Sequence, residues 1–182
     1  PNQYRKNDVT GSISFWTRWG GLSGGTIDTM FGAFQSSDYW YFGIRASDLY
    51  IDYRDDGTDS SRTDGPTASG ITLGEWSHIV FTQSGDANDA TPFKVYINGD
   101  YVAWNPTRIN KPLYQVWFKE FAATNFIIGG WLNTGGSFSD PYKGQMSQFA
   151  VWGGSTVGAS GAELSASDVA AIYALGPNGN VK

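Results

Sequence analysis

The sequence predicts an all-β sandwich of antiparallel strands that ends in a short helix. Aromatic residues make up 16% of the 182 residues, and 24 glycines are spread along the chain among Ser, Thr, Asn and Asp. Aromatic side chains pack well on a pleated surface, whereas the small polar residues form turns. Short stretches in which apolar residues recur at every second position supply the strands themselves.

The clearest strands lie between residues 74 and 102. In GEWSHIVFTQS, from Gly74 to Ser84, the side chains alternate with the period of two that a packed strand requires. The second stretch, FKVYI at residues 93–97, alternates in the same way up to Asn98-Gly99. Asn and Gly tolerate the positive φ of a tight hairpin, so we predict two adjacent antiparallel strands and a third that returns from this turn.

Further strands are predicted on both sides of this region. The stretch SISFWTRW at residues 12–19 alternates and is stopped by Gly20-Gly21. The other predicted strands are residues 29–34, 39–45 and 49–53, a buried strand at 126–130, and 142–152. The polar residues 54–69 are too many for a tight turn and predict a loop or a weak edge strand. Within 142–152, a period of two puts Met146, Gln148, Ala150 and Trp152 on one face.

The C-terminal stretch from Leu164 to Pro177 predicts a helix. Ser165 is a suitable N-cap, Asp168 is favourably placed in the first turn, and Gly176-Pro177 would end the helix. Val169, Ile172 and Tyr173 recur at helical spacing, which favours packing of this face on the rim of the sandwich.

Four motifs together carry a family resemblance: SISFW at residue 12, GEWSHIVFT, KVYINGDYV and the tail that begins LSASDV. This combination resembles the laminin-G-like and concanavalin-A-like jelly-roll domains. The resemblance covers about residues 12–177 and implies a two-sheet antiparallel jelly-roll sandwich, which we take as one domain over residues 1–182. It also implies that the domain sits in a longer extracellular or virion protein. Ser147 and Gln148 stand where these domains usually carry an acidic pair.

Charge and composition exclude several partners. The formal net charge is −5, which disfavours attraction to phosphate backbones and to anionic membrane surfaces. No apolar run approaches the roughly 20 residues that span a bilayer. The chain has no cysteine, so it has no disulfide framework and no thiol chemistry. We therefore expect neither nucleic acid nor membrane insertion.

Catalysis is not expected. The superfamily includes glycoside hydrolases in which a strand carries E-x-D-x-x-E, so that two carboxyls flank the scissile bond. This chain has no such motif, and its only glutamates are Glu75, Glu120 and Glu163. His78 is the only histidine, so a triad or a histidine-rich metal site has no second imidazole. We expect His78 to be a partly buried packing residue and the protein not to be an enzyme.

Calcium is the one candidate cofactor. Many domains of the resembled families hold this ion in loops at the sandwich rim, where short runs of Asp and Asn supply oxygen ligands. Asp86, Asn88 and Asp89 form the best candidate cluster, and Asp55, Asp56 and Asp59 the second. The alternative is that these residues are ordinary turn formers, whose side chains bond nearby backbone amides. Both interpretations stay open in the sequence.

Aromatic residues in loops are the candidate sugar-binding groups. A sugar stacks its C–H face on Trp or Tyr while polar groups fix its hydroxyls. The segment 103–125 is longer than the usual connection in the related domains and is the leading candidate. The full predicted set is Asp38, Tyr39, Trp40, Trp104, Asn105, Tyr114, Trp117, Trp131 and Asn133.

The sequence thus predicts a noncatalytic, lectin-like carbohydrate-binding module of a larger extracellular or virion surface protein, with a glycan as partner. The alternative is a virion decoration or fibre domain that binds other virion subunits. A glycoside hydrolase is less favoured, because the carboxylate pair is missing. Fold alone does not decide among the three, since one jelly roll hosts them all.

Overall fold

A computed structural model describes most of the chain. The described residues are 7–21, 27–35, 38–45, 48–55, 58–67, 71–103, 113–115, 117–121, 125–132 and 136–179. Within these ranges every strand predicted from the sequence is present, and the statements below concern these residues.

Twelve strands, two 3-10 turns and one helix follow one another along the chain. They are β1 (Thr10–Trp19), β2 (Ile27–Gln35), β3 (Asp38–Arg45), β4 (Asp48–Asp55), β5 (Thr58–Thr67), β6 (Trp76–Gln83), β7 (Phe93–Ile97), β8 (Asp100–Val102), the 3-10 turns Leu113–Gln115 and Phe118–Phe121, β9 (Asn125–Ile128), β10 (Trp131–Leu132), β11 (Phe138–Ser139), β12 (Gly144–Gly154) and α1 (Ala166–Ala174).

Two five-stranded antiparallel sheets form the sandwich that the sequence predicts. Sheet A has the order β12-β1-β6-β7-β8, and sheet B has the order β5-β4-β3-β2-β9. Strands β10 and β11 form a separate two-stranded hairpin. The inner faces of both sheets share one core, in which Phe15 and Phe81 of sheet A meet Phe31 and Phe42 of sheet B. Such edge-to-face aromatic contacts add to the burial of apolar area that holds the two sheets together.

The two edge strands of sheet B compare differently with the sequence interpretation. The polar stretch 54–69 contains the edge strand β5, which agrees with the second of the two alternatives. The predicted buried strand at 126–130 is β9, the opposite edge, where Phe126 and Ile127 are half-buried and Ile128 is 50% exposed. The sequence of β9 is apolar although β9 is an edge strand, because one of its faces still packs on the core.

A β-bulge corrects the prediction that Met146, Gln148, Ala150 and Trp152 share one face. Pairing of β1 with β12 shifts register between Ser14 and Trp16, and Gln148 on the bulged strand has a φ of 53°. The extra residue reverses the alternation, so Met146 packs against the inner core while Trp152 packs on the outer face of sheet A.

The C-terminal helix begins and ends where the sequence predicts. Ser165 and Asp168 form a capping box, and Gly176 follows the helix with a φ of 71°. Val169 is fully buried and Ile172 nearly so, and both pack on the outer face of sheet A. In the described part of the chain, no helix has the length and apolar character needed to cross a membrane.

Candidate functional site

Neighbouring aromatic residues of β3 lie on opposite faces of sheet B. Tyr39 and Tyr41 point outward, whereas Trp40 and Phe42 point into the core, because successive side chains of a strand alternate. The predicted ligand group of Tyr39 and Trp40 is therefore divided between two environments.

Trp40 belongs to the inner core together with Trp117. The two indole rings are 5.5 Å apart at an angle of 55°, and each residue is 1% exposed. Phe118 packs edge-on against both rings, so the segment around the second 3-10 turn fills the core. This reassigns Trp40 and Trp117 from the predicted ligand-binding set to the core, since neither presents a face to a ligand.

A tyrosine cluster occupies the outer face of sheet B. Tyr39, Tyr41 and Tyr50 pack together there, and all three are almost fully buried. The hydroxyl groups of Tyr41 and Tyr50 donate to Oδ2 of Asp52, at 3.1 Å and 3.3 Å. Burial and then the negative charge of Asp52 raise the pKa of Tyr41 far above its ordinary value. Tyr41 therefore stays a neutral hydrogen-bond donor, and the carboxylate below it is paired.

Trp131 lies over this cluster because the chain turns back at the edge of the sheet. After β9, Gly129 adopts a φ of 88° and its N–H donates to the carbonyl of Met30 at 2.7 Å. The chain then crosses the outer face of β2 at Gly32, where an added Cβ would lie 2.5 Å from Cβ of Trp131. Only glycine permits this close approach of two backbones.

The indole of Trp131 rests on the tyrosines. Its ring is 4.7 Å from that of Tyr41 at an angle of 28°, a stacked geometry, and 5.2 Å from the tilted ring of Tyr39. The residue is half-buried, so it remains partly accessible to solvent. The structure thus brings together two predicted site residues, Tyr39 and Trp131, that are far apart in sequence.

Asp140, the residue directly after β11, fixes the indole. The indole N–H of Trp131 donates to Oδ2 of Asp140 at 2.8 Å, and the hydroxyl of Ser139 donates to the same oxygen at 3.2 Å. The backbone carbonyl of Asp140 accepts from the amide of Thr29 at 2.9 Å, which ties the hairpin to β2. Asp140 has a φ of 45°, a left-handed conformation that Asp tolerates better than most residues.

The remaining predicted residues are Asp38, Tyr114 and three that fall outside the described residues. Asp38 is the first residue of β3 and pairs with Gln35, and its side chain lies outside the described part. Tyr114 is half-buried in the first 3-10 turn, next to Gln115. Trp104, Asn105 and Asn133 fall outside the described residues. None of the described contacts joins Tyr114 to the outer face of sheet B.

The acidic loop between β6 and β7 is built as a pair of turns. Oδ1 of Asp86 accepts from the amide of Asn88 at 2.8 Å, and Oδ1 of Asp89 accepts from the amide of Thr91 at 2.9 Å. The Thr91 hydrogen bond, with the nearby Lys94 ammonium, lowers the pKa of Asp89. Nζ of Lys94 lies 3.6 Å from Oδ2 of Asp89.

This donor set does not fit a calcium ion. Calcium takes six to eight oxygens, but Asp86, Asn88 and Asp89 supply two carboxylates and one amide. One of those carboxylates already faces the ammonium of Lys94, which repels a cation. Across the described residues, no group of three or more His, Cys, Asp or Glu side chains could hold a metal.

His78 and Glu163 have structural partners. His78 is fully buried, with Nε2 at 2.8 Å from the hydroxyl of Ser14, and burial lowers its pKa to about 4. The imidazole is therefore neutral at pH 7. Oε1 of Glu163 accepts from Nζ of Lys94 at 2.9 Å, which anchors the segment before α1 to sheet A.

Sequence reasoning missed Tyr41, Asp52, Asp140 and Gly32 as parts of the Trp131 site. The pattern Tyr39-x-Tyr41 carried a usable signal, since residues two apart in a strand share a face. No comparable signal pointed to Asp140, because its contact with Trp131 depends on the pairing of β10 with β11.

Comparison with known proteins agrees with this architecture. The family model described as the Concanavalin A-like lectin/glucanases superfamily matches residues 2–159. The chain belongs to this superfamily. A search of curated proteins found no match.

Three solved structures show the same fold at low sequence identity. A native heptameric SAP-like pentraxin from Limulus polyphemus is 16% identical with a TM-score of 0.58, over 94% of this chain and 72% of the pentraxin chain. Domain 4 of AbnA, a GH43 extracellular arabinanase from Geobacillus stearothermophilus, solved with arabinotriose, is 19% identical with a TM-score of 0.57, over 91% and 67%. The botulinum neurotoxin type G receptor binding domain is 15% identical with a TM-score of 0.55, over 92% and 38%.

These likenesses establish the fold and the kinds of protein that share it. The chain spans just over a third of the neurotoxin domain and so resembles only a part of that protein. The fold is shared by carbohydrate-binding and receptor-binding domains, and the structural neighbours are mainly binding domains.

Proposed function

We propose that this protein is a noncatalytic carbohydrate-binding module of a larger extracellular or virion surface protein. The binding surface is the outer face of sheet B at Trp131. The ligand is a glycan whose C–H face stacks on the exposed part of the indole.

One observation carries the proposal: Trp131 is a partly exposed tryptophan that is held rigid from below. Tyr41 supports one face of the ring at 4.7 Å, and the carboxylate of Asp140 fixes the indole N–H at 2.8 Å. Rigid aromatic groups lose little conformational entropy on binding, so such a ring is a favourable stacking platform. The other predicted tryptophans of known position, Trp40 and Trp117, lie in the core.

The proposal of a noncatalytic role rests on the carboxylate groups near Trp131. Glycoside hydrolysis needs two carboxyls at a defined separation beside the bond that breaks. Asp52 lies beneath the Trp131 site, but its Oδ2 accepts from two tyrosine hydroxyls, and it is 1% exposed. Asp140 is the one carboxylate that the described residues place at the rim of the site. The AbnA domain, which was solved with arabinotriose, supports the choice of saccharides as ligands to test.

Glycan-array binding followed by calorimetry tests the proposal, with Trp131→Ala as the decisive variant. We expect the wild type to bind at least one glycan and Trp131→Ala to bind it about 5- to 150-fold more weakly, if stacking on the ring is worth about 1–3 kcal/mol, as it is for a nucleobase on an aromatic side chain. The matched control is Tyr101→Ala, because Tyr101 is 51% exposed and lies on the edge strand of the other sheet.

Each assay is repeated with calcium and with chelator. Equal glycan affinity in both buffers agrees with the poor fit of the acidic loop to the ion. A loss of glycan affinity in chelator would mean that binding requires calcium. Wild-type protein that binds no arrayed glycan contradicts the proposal for those sugars. The virion assembly role then becomes the leading alternative, and its measurement is binding to neighbouring subunits.

A further inference from the structure

Within the described part of the chain, hydrogen bonds reach only one of the two carboxylate oxygens of Asp140. Oδ2 accepts from the indole N–H of Trp131 and from the hydroxyl of Ser139. No hydrogen bond to Oδ1 is found among the described residues, and the side chain is half-buried. A carboxylate accepts up to about four hydrogen bonds, so this group keeps unused capacity beside a partly exposed aromatic ring.

The hydrogen bond to Oδ2 also limits how Trp131 can contact a ligand. The indole N–H already has a partner, so it is not available to a ligand and the residue recognises ligands through its face. A negatively charged acceptor makes this a charge-assisted hydrogen bond, which is stronger than one between neutral groups. It draws the N–H proton toward the carboxylate and increases electron density on the ring. A sugar C–H face, which is slightly positive, is attracted to the negative face of such a ring.

We propose that Asp140 is a ligand-contact residue that selects uncharged saccharides. Its Oδ1 accepts a hydroxyl of the sugar that stacks on Trp131, while its Oδ2 holds the ring in place. A fixed carboxylate beside the platform repels glycans that carry carboxylate or sulfate groups. This inference rests on the proposed glycan-binding function and names the ligand class for that site.

The conservative variant Asp140→Asn isolates the effect of charge. Asn has the same shape and also tolerates the left-handed backbone, which here has a φ of 45°. Asp100→Asn is the matched control, because it removes the same charge at an exposed residue of β8, the edge strand of the other sheet. Affinities are measured by calorimetry for a neutral oligosaccharide and for its uronic acid counterpart, alongside the melting temperature of each variant.

We expect Asp140→Asn to bind the neutral saccharide about tenfold more weakly, because hydrogen bonds to charged groups are the strong ones. The preference for neutral over anionic saccharide should shrink, which a purely structural role for Asp140 would not produce. The indole N–H resonance of Trp131, assigned by its absence in Trp131→Phe, should move upfield in a 15N-labelled sample of the variant. Asp100→Asn should leave all three measurements near wild type.

The outcomes separate this inference from the function on which it rests. If Trp131→Ala abolishes binding but Asp140→Asn binds both saccharides as wild type does, the role of Asp140 is overturned and the glycan site stands. An unmoved indole resonance overturns the positioning role in the same way. If the wild type binds the anionic saccharide more tightly, the selection for uncharged ligands is wrong. Absence of any glycan binding by the wild type overturns both proposals.

Discussion

The outer faces of the two sheets are both covered, but by different means. On sheet A, the nine-residue helix α1 lays Val169 and Ile172 against Val80 and Tyr96. On sheet B, the cover is a hairpin whose strands have two residues each, and its main contact is one tryptophan. A capped amphipathic helix that buries aliphatic side chains completes the fold. A two-residue strand has little stability of its own and must be fixed from outside.

The two covers are held in place by different kinds of contact. Apolar contacts and a capping box hold α1, and Tyr173 of the helix stacks on Trp16, which is almost fully buried. Trp131 is instead held by a glycine that permits close approach, a stacked tyrosine and a carboxylate. Such a set of directional contacts orients a ring rather than merely burying it. The comparison therefore supports the proposal that the cover of sheet A mainly stabilises the fold and that the cover of sheet B binds a ligand.

Val169→Asp gives the largest expected change in stability. Val169 is fully buried between α1 and sheet A, and the variant would place an unpaired carboxylate there. We expect a loss of about 3 kcal/mol in the free energy of unfolding, measured by urea denaturation. Ala170→Asp, at the exposed neighbouring position, is the control and should cost little. Equal stability of the two variants would contradict this comparison, because the packing of α1 on sheet A would then not stabilise the fold.

The stability of the cover on sheet A should also depend on pH through His78. Its pKa is lowered from 6.5 to about 4 by burial, so the folded protein favours the neutral imidazole. The stability it contributes is fully present above pH 6.5 and is lost as the pH falls toward 4. Between these values we expect a loss on the order of 3 kcal/mol, from 1.36 kcal/mol per pKa unit.

The control for this pH dependence is His78→Gln, which does not ionise. Urea denaturation from pH 7.5 to 4 should show a much flatter dependence for the variant than for the wild type. Asp89, whose pKa is lowered, loses its contribution only at lower pH and is common to both proteins. Identical pH profiles would show that protonation of His78 does not oppose the native state.

Tyr50→Phe should have the smallest effect and tests the support beneath Trp131. The variant removes a hydroxyl that donates to Oδ2 of Asp52 at 3.3 Å, while Tyr41 still donates to the same oxygen. We expect a loss of about 1.5 kcal/mol, the lower end of the range for a hydrogen bond to a charged group, because Tyr41 still donates to this carboxylate. Tyr101→Phe, at an exposed tyrosine, should lose nothing. A loss equal to that of Val169→Asp would mean that sheet B depends on its outer face as much as sheet A does.

Regular features of the fold were predictable from the sequence because they depend on local pattern. The alternation around Trp76 to Gln83 gave β6, and the Asn98-Gly99 turn gave the hairpin between β7 and β8. The bulge near Gln148 was not predictable, because one extra residue reverses the alternation without changing the residue types on either side. A period-of-two pattern therefore fails where the pairing itself is irregular.

The candidate site was only half predictable. Trp131 and Tyr39 were identified as sugar-binding candidates, and the structure places their rings 5.2 Å apart. Trp40 and Trp117 had the same residue type and similar polar neighbours in sequence, but they lie in the core. Asp140 and Gly32 gave no signal, because their roles come from contacts with a tryptophan on another strand.

By itself, the sequence determined the strands, the capped helix, the lack of a second histidine or of a cysteine, and the resemblance that led to the superfamily. These properties follow from composition and from patterns that span a few residues. Only the tertiary structure decided which aromatic rings are core and which ring lies at the surface on a tyrosine support. That decision depends on the direction of each side chain and on the close approach of distant backbones, as at Gly32 and Trp131. Neither quantity is a property of a residue and its neighbours in sequence.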